Sequence, residues 1–211
     1  MRENYKTVGE LKECEIIIQK SRFIGHAARA ETEKEAMDFI ESIKAKHRSA
    51  NHNCSAYIIG EHDIIQKAND DGEPSGTAGV PILEVLKKQG LKDTVIVVTR
   101  YFGGIKLGGG GLIRAYGRSA SEAIASSGVV ERRLHGLMAV SIDYTWLGKV
   151  ENEIRQSEYP LQDIQYGSGV EVLVHVPVEL EQQFTEWINE MTNGQAGITC
   201  LKQEFLEFKL P

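Results

Sequence analysis

The run Thr94-Val95-Ile96-Val97-Val98-Thr99 constrains the fold more than any other stretch of this sequence. A strand with one wet face alternates apolar and polar residues, whereas one buried on both faces reads as a continuous β-branched run. These residues therefore predict a central strand with a packed layer on each side. The flanking segments supply helices for those layers. Thr32-Glu33-Lys34-Glu35 has capping-box spacing: the Thr hydroxyl and the Glu three residues later each satisfy a free backbone N–H. Ala36, Phe39, Ile40 and Ile43 follow at i, i+3, i+4 and i+7, giving one helix face that runs to about His47. Pro81 suits a first helical turn, Ile82, Val85 and Leu86 its buried face, and Gly90 the left-handed position past its end. A third helix places Leu112, Ala115, Tyr116, Ser119 and Ala120 on one face. Shorter strands are predicted at Glu15–Ile18, Arg22–Ile24, Cys54–Ile59 and Asp63–Lys67, the last two joined through Gly60.

Composition narrows the class. Among 211 residues, 41% are hydrophobic and 26% charged, ordinary globular usage that excludes a mainly disordered or fibrous chain. No apolar run approaches the roughly 18 residues of a membrane span. The opening Met1-Arg2-Glu3-Asn4-Tyr5-Lys6 is polar, so no secretory signal is expected and the protein reads as cytoplasmic. Cys14, Cys54 and Cys200 suit neither a disulfide framework nor a zinc site, and are read as reduced thiols.

The net charge of −6 is unevenly spread. Residues 1–135 carry 20 basic and 18 acidic side chains, and residues 136–211 carry 4 and 12. Charge and glycine usage both change near Leu134-His135-Gly136, so we expect two domains, 1–135 and 136–211. The second shows a strand at Leu137–Tyr144, a helix at Trp146–Ser157, strands at Leu161–Tyr166 and Val170–Val176, a helix at Glu179–Met191 and a strand at Ile198–Phe208. That order, βαββαβ, is the split arrangement of ferredoxin-like domains. Its acidity argues against a grip on phosphate and for an adaptor role, with a protein partner.

Two loops carry the chemical signal. One is Asp70-Asp71-Gly72-Glu73-Pro74-Ser75-Gly76-Thr77-Ala78-Gly79. The other, Arg100 to Gly111, leaves the central strand, and six of the nine residues from Gly103 to Gly111 are glycine. Glycine permits positive φ and close approach of a second backbone or a ligand. A glycine-rich loop leading from a strand into a helix offers free N–H groups to a phosphate. Arg100, Lys106, Arg114 and Arg118 are the only charged residues from 100 to 118, and Arg114 and Arg118 lie one turn apart. The candidate anion or nucleic-acid site is therefore Arg100, Lys106, Gly108, Gly109, Gly110, Gly111, Arg114 and Arg118. Against it stands a plain packing loop beside a solvated helix face. No Walker pattern is present, since no Lys-[Ser/Thr] follows the glycines.

Other chemistries have weaker warrants. His52 and Cys54 share a strand face at i and i+2 and, with Asp71 or Glu73 as orienting acid, would suit a hydrolase. His47, His52 and Cys54 lack a fourth metal ligand. Asp70, Asp71 and Glu73 read first as turn-formers and only second as ligands of a hard cation. No metal and no cofactor is expected.

At these loops the sequence resembles the IMPACT family, in its two-domain bacterial form. The resemblance rests on His52-x-Cys54-x-Ala56-Tyr57, on Asp70-Asp71-Gly72-Glu73-Pro74-x-Gly76-Thr77-Ala78-Gly79, and on Val98-Thr99-Arg100-Tyr101-Phe102-Gly103-Gly104-Ile105-Lys106-Leu107-Gly108. It covers residues 1 to about 130. It implies an α+β protein: a ribosomal-protein-type α/β domain as in domain IV of elongation factor G, then a ferredoxin-like domain as in domain V. Eukaryotic relatives regulate translation through a stress-kinase pathway with the help of an extra N-terminal domain. No such domain is expected here, so that role is not carried over. The resulting expectation is a translation-linked protein that binds RNA or the ribosome without catalysis. The alternatives are an enzyme holding a small phosphorylated compound or nucleotide at the glycine loop, and the His52/Cys54 hydrolase.

Overall fold

The computed structural model describes residues 4–210, which divide into two compact units, residues 4–132 with 208–210, and residues 133–207. The division falls three residues before the boundary expected from charge, and it assigns 208–210 to the first unit. The fold class is α+β.

The first unit contains β1 (Tyr5–Val8), β2 (Lys12–Ile18), β3 (Ser21–Arg29), α1 (Glu33–Lys46), β4 (His52–Ile59), β5 (Ile65–Asn69), α2 (Gly79–Gln89), β6 (Thr94–Tyr101), α3 (Gly108–Ser127) and the start of β7 (Val129–Ile142). Its main sheet has the order β2-β3-β6-β4-β5, with every neighbouring pair antiparallel. The β-branched run is therefore the middle strand. Ile96 and Val98 face the core formed with α2 and α3, while Val95 and Val97 face the core under α1. The small residues of α3 let it lie close: a Cβ on Gly25 of β3 would stand 2.8 Å from the Ser119 carbonyl oxygen and 2.9 Å from the Ala123 Cβ. Thr32 caps α1 as the sequence requires, its hydroxyl accepting from the Glu35 N–H, although the Glu35 carboxylate reaches back to the Glu31 N–H.

The second unit continues β7 and adds α4 (Tyr144–Gln156), β8 (Leu161–Tyr166), β9 (Val170–Pro177), a short 3-10 turn, α5 (Glu181–Met191) and β10 (Gly197–Lys209). β7 pairs with β10 on one side and β9 on the other, and β9 pairs with β8. The strands therefore lie in chain order fourth, first, third, second, a ferredoxin-like sheet. Met138, Val140, Val172 and Val174 meet Ile154, Phe184 and Ile188 of the two helices in one core. Asp143, which the sequence placed in the strand, instead caps α4 by accepting from the Thr145 N–H.

Candidate functional site

The loop between β5 and α2 is organised by one carboxylate. Asp70 accepts hydrogen bonds from the backbone N–H groups of Gly76, Ala78 and Gly79, at 2.8, 3.0 and 2.8 Å. It thereby closes the loop and satisfies donors at the start of α2, where Ala78 has no side chain to do so. Burial works to raise the Asp70 pKa, but the three backbone donors outweigh it and hold the carboxyl below its ordinary value. Asp71, Gly72 and Gly76 all take positive φ, at 44°, 88° and 76°. Thr77 closes the segment, donating through both its N–H and its hydroxyl to the Pro74 carbonyl. The acidic motif is thus a turn whose first acid is committed to backbone donors.

Glu73 turns inward from this loop. It is 8% exposed, and its Oε1 accepts from Arg100 Nη1 at 2.7 Å and from the Tyr116 hydroxyl at 2.8 Å. Arg100 is 5% exposed; its guanidinium lies against the Phe23 and Phe102 rings, and its Nε has no hydrogen-bond partner among the described residues. The sequence grouped Arg100 with the exposed cations. It is the penultimate residue of β6 rather than a loop residue, and Glu73 holds it inside the protein. This buried pair ties the 70–79 loop to β6 and α3. No sequence signal marked Tyr116 as its third member, because a tyrosine at a core position of an apolar stripe reads only as packing.

The glycine run also differs from the expected loop. Gly108–Gly111 form the first turn of α3, which the poor helix propensity of glycine had concealed. Gly108 has φ of 70°. A Cβ on Gly111 would lie 2.9 Å from the Leu107 Cβ, whereas Gly109 and Gly110 have room. Leu107, at the cap position, offers no side-chain bond to the free N–H groups. The tightest approach lies upstream: a Cβ on Gly103 would stand 2.1 Å from the Lys20 carbonyl carbon and oxygen. Lys106 and Arg114 are exposed and form no ion pair or side-chain hydrogen bond among the described residues, and exposed Arg118 lies 4.0 Å from Glu122.

His52 and Cys54 sit on the α2/α3 side of β4, beside the acidic loop. His52 Nδ1 is 2.9 Å from the Asp71 carbonyl oxygen, so that nitrogen carries the proton, and Nε2 lies 3.9 Å from Glu73 Oε2. Cys54 is fully buried and donates its S–H to the Asp70 carbonyl; burial pushes its pKa up to about 12. A thiol held protonated is a poor nucleophile. His47 lies apart, its Nδ1 3.0 Å from the Tyr101 hydroxyl and its ring against His26. Among the described residues no three His, Cys, Asp or Glu side chains are placed to hold a metal ion.

Residues 19–124 match the family profile described as the Impact N-terminal domain, and residues 140–195 match one described as a domain of unknown function (DUF1949). The chain is 59% identical over 207 residues to "IMPACT family member YvyE" of Bacillus subtilis (strain 168), covering 98% of this chain and 95% of that protein. It is 31% identical to "IMPACT family member YigZ" of Escherichia coli (strain K12), covering 88% and 92%. A solved chain described as "Crystal structure of an hypothetical protein" superposes with a TM-score of 0.60 at 28% identity, covering 96% of this chain and 99% of that one. With the Impact N-terminal profile spanning the loops built around Asp70 and Arg100, and such relatives matching along nearly the whole length, this chain is a member of the IMPACT family.

Proposed function

We propose that this protein is a cytoplasmic, translation-linked regulator that binds RNA or the ribosome without catalysis. The observation that carries the reading is the exposed start of α3. Lys106 precedes the uncapped N-terminus of α3 and Arg114 and Arg118 follow about two and three turns along the helix, and among the described residues only Arg118 of the three has a carboxylate within 4.0 Å. Cations left without partners keep their full charge for phosphate, and the free N–H groups add to it. The likeness to domains IV and V of elongation factor G that the family resemblance implies supports a partner in the translation machinery. Among the described residues no helix is long and apolar enough to cross a membrane. The acidic second unit suits a protein contact better than a nucleic-acid one.

The buried, raised Cys54 thiol weighs against the hydrolase reading. An enzyme holding a small phosphate compound would instead show saturable binding of that compound and sensitivity at His52, Asp71 or Glu73. Crosslinking in cells, followed by sequencing of the attached RNA and by ribosome fractionation, tests the proposal. Recovery of RNA with the protein, or its co-migration with ribosomes, is the expected outcome. Failure of both would count against it.

A further inference from the structure

Phe102, next after β6, is 44% exposed although it lies beside a buried arginine. Its position is fixed from several sides. Its N–H donates to Asn51 Oδ1 at 2.8 Å, and the Arg100 guanidinium carbon lies 5.5 Å from its ring centroid. The following residue, Gly103, is pressed against the Lys20–Ser21 backbone and donates to the Ser21 hydroxyl. An exposed ring held this way loses little freedom when something flat lies on its outer face. Three chain segments meet here, and each brings an exposed cation with no carboxylate partner among the described residues: Lys20 in the β2–β3 turn, Arg48 three residues before Asn51, and Lys106 four residues after Phe102. Two acids of this unit are already paired, Glu73 with Arg100 and Glu15 with Arg22.

An exposed aromatic ring where three segments that each carry an exposed cation come together is the chemistry of a single-stranded nucleic-acid site, in which a base stacks on the ring and the backbone follows the charges. A paired base in a duplex does not offer its face. Resting on the RNA-binding reading above, we propose that Phe102 is a stacking platform for an unpaired base, with Lys20, Arg48 and Lys106 contacting the flanking phosphates. Lys20 and Arg48 lie outside the stretch the sequence singled out. The partner is therefore a single-stranded RNA segment rather than a duplex.

Oligouridine and an RNA duplex are titrated against wild type, Phe102→Ala, Phe102→Trp and the Lys20→Gln/Arg48→Gln/Lys106→Gln triple variant, with melting temperatures as folding controls. Phe102→Ala should weaken oligouridine binding by about ten-fold or more with an unchanged log–log salt slope, because stacking is not ionic. The triple variant should lower that slope by about 0.7 for each lost contact. Phe102→Trp should retain affinity, and oligouridine should quench its added fluorescence. Salt-dependent binding that Phe102→Ala and Phe102→Trp leave unaltered, with no quenching, would overturn the platform alone. Absence of any salt-dependent binding by wild type would overturn the RNA reading and the platform with it.

Discussion

Glu73 and Arg100 hold opposite charges out of water, and each is tolerable only because the other is present. Glu73→Gln would leave the Arg100 guanidinium buried without its counter-charge. We expect a loss of about 3–5 kcal/mol in denaturant unfolding. Arg100→Met in the same chain should return part of that loss, since it removes the stranded cation. A double variant no more stable than Glu73→Gln would contradict this account of the pair. Asp70 makes a second prediction, with a pH signature. Its folded pKa lies below the unfolded value of about 3.9. Asp70 therefore stabilises the fold above that pH, and the contribution disappears as pH falls through the lower folded value. The stability gap between wild type and Asp70→Asn should be wide near pH 6 and narrow toward pH 2. A gap independent of pH would mean that the backbone donors do not hold the carboxylate as described.

At the scale of elements, the glycines divide into those the backbone requires and those it does not. Gly103→Ala should cost about 1–3 kcal/mol, at the upper end, because its Cβ would overlap backbone atoms that cannot rotate aside. Gly108→Ala/Gly111→Ala should also destabilise, through positive φ at one and the Leu107 contact at the other. Gly109→Ala/Gly110→Ala should be neutral or stabilising by up to about 1 kcal/mol each, since both are helical and open. Thermal melts of the three variants check the order. The same residues explain what the sequence could convey. Elements with a local cause were legible: the Thr32 cap, Gly90 in the left-handed position with φ of 64°, and the β-branched β6. Gly108–Gly111 read as loop because propensity is local, whereas α3 is held by its packing on the sheet and on α2. β1 was not identified, since four residues pairing with Val129–Arg132 have their reason more than a hundred positions away. The site was legible as motifs but not as geometry. Nothing in the sequence says that Arg100 points inward, that Tyr116 completes its pair, or that Lys20 lies beside Gly103.

For the whole molecule, the two units differ in charge and in the packing of their aromatic residues. Residues 133–207 expressed alone should unfold cooperatively. Their near-UV signal should come largely from Trp187, packed against Tyr159 and Phe184, and from Trp146, bonded to Gln195. A gradual transition would show that this unit depends on the rest of the chain. On the proposed reading, an acidic second unit and a few exposed cations on the first would make RNA contact local, so that binding should depend on a few residues rather than on net charge. Titration of labelled RNA at two salt concentrations, against wild type and Arg114→Gln/Arg118→Gln, tests that claim most directly. Both side chains are exposed, so the melting temperature should hardly move. The double variant should bind more weakly to every RNA sequence tried, with a log–log salt slope lower by about 0.7–0.9 for each lost phosphate contact. A wild type without salt-dependent RNA binding, or a double variant with the wild-type slope, would show that the Arg114/Arg118 side of α3 is only a solvated face.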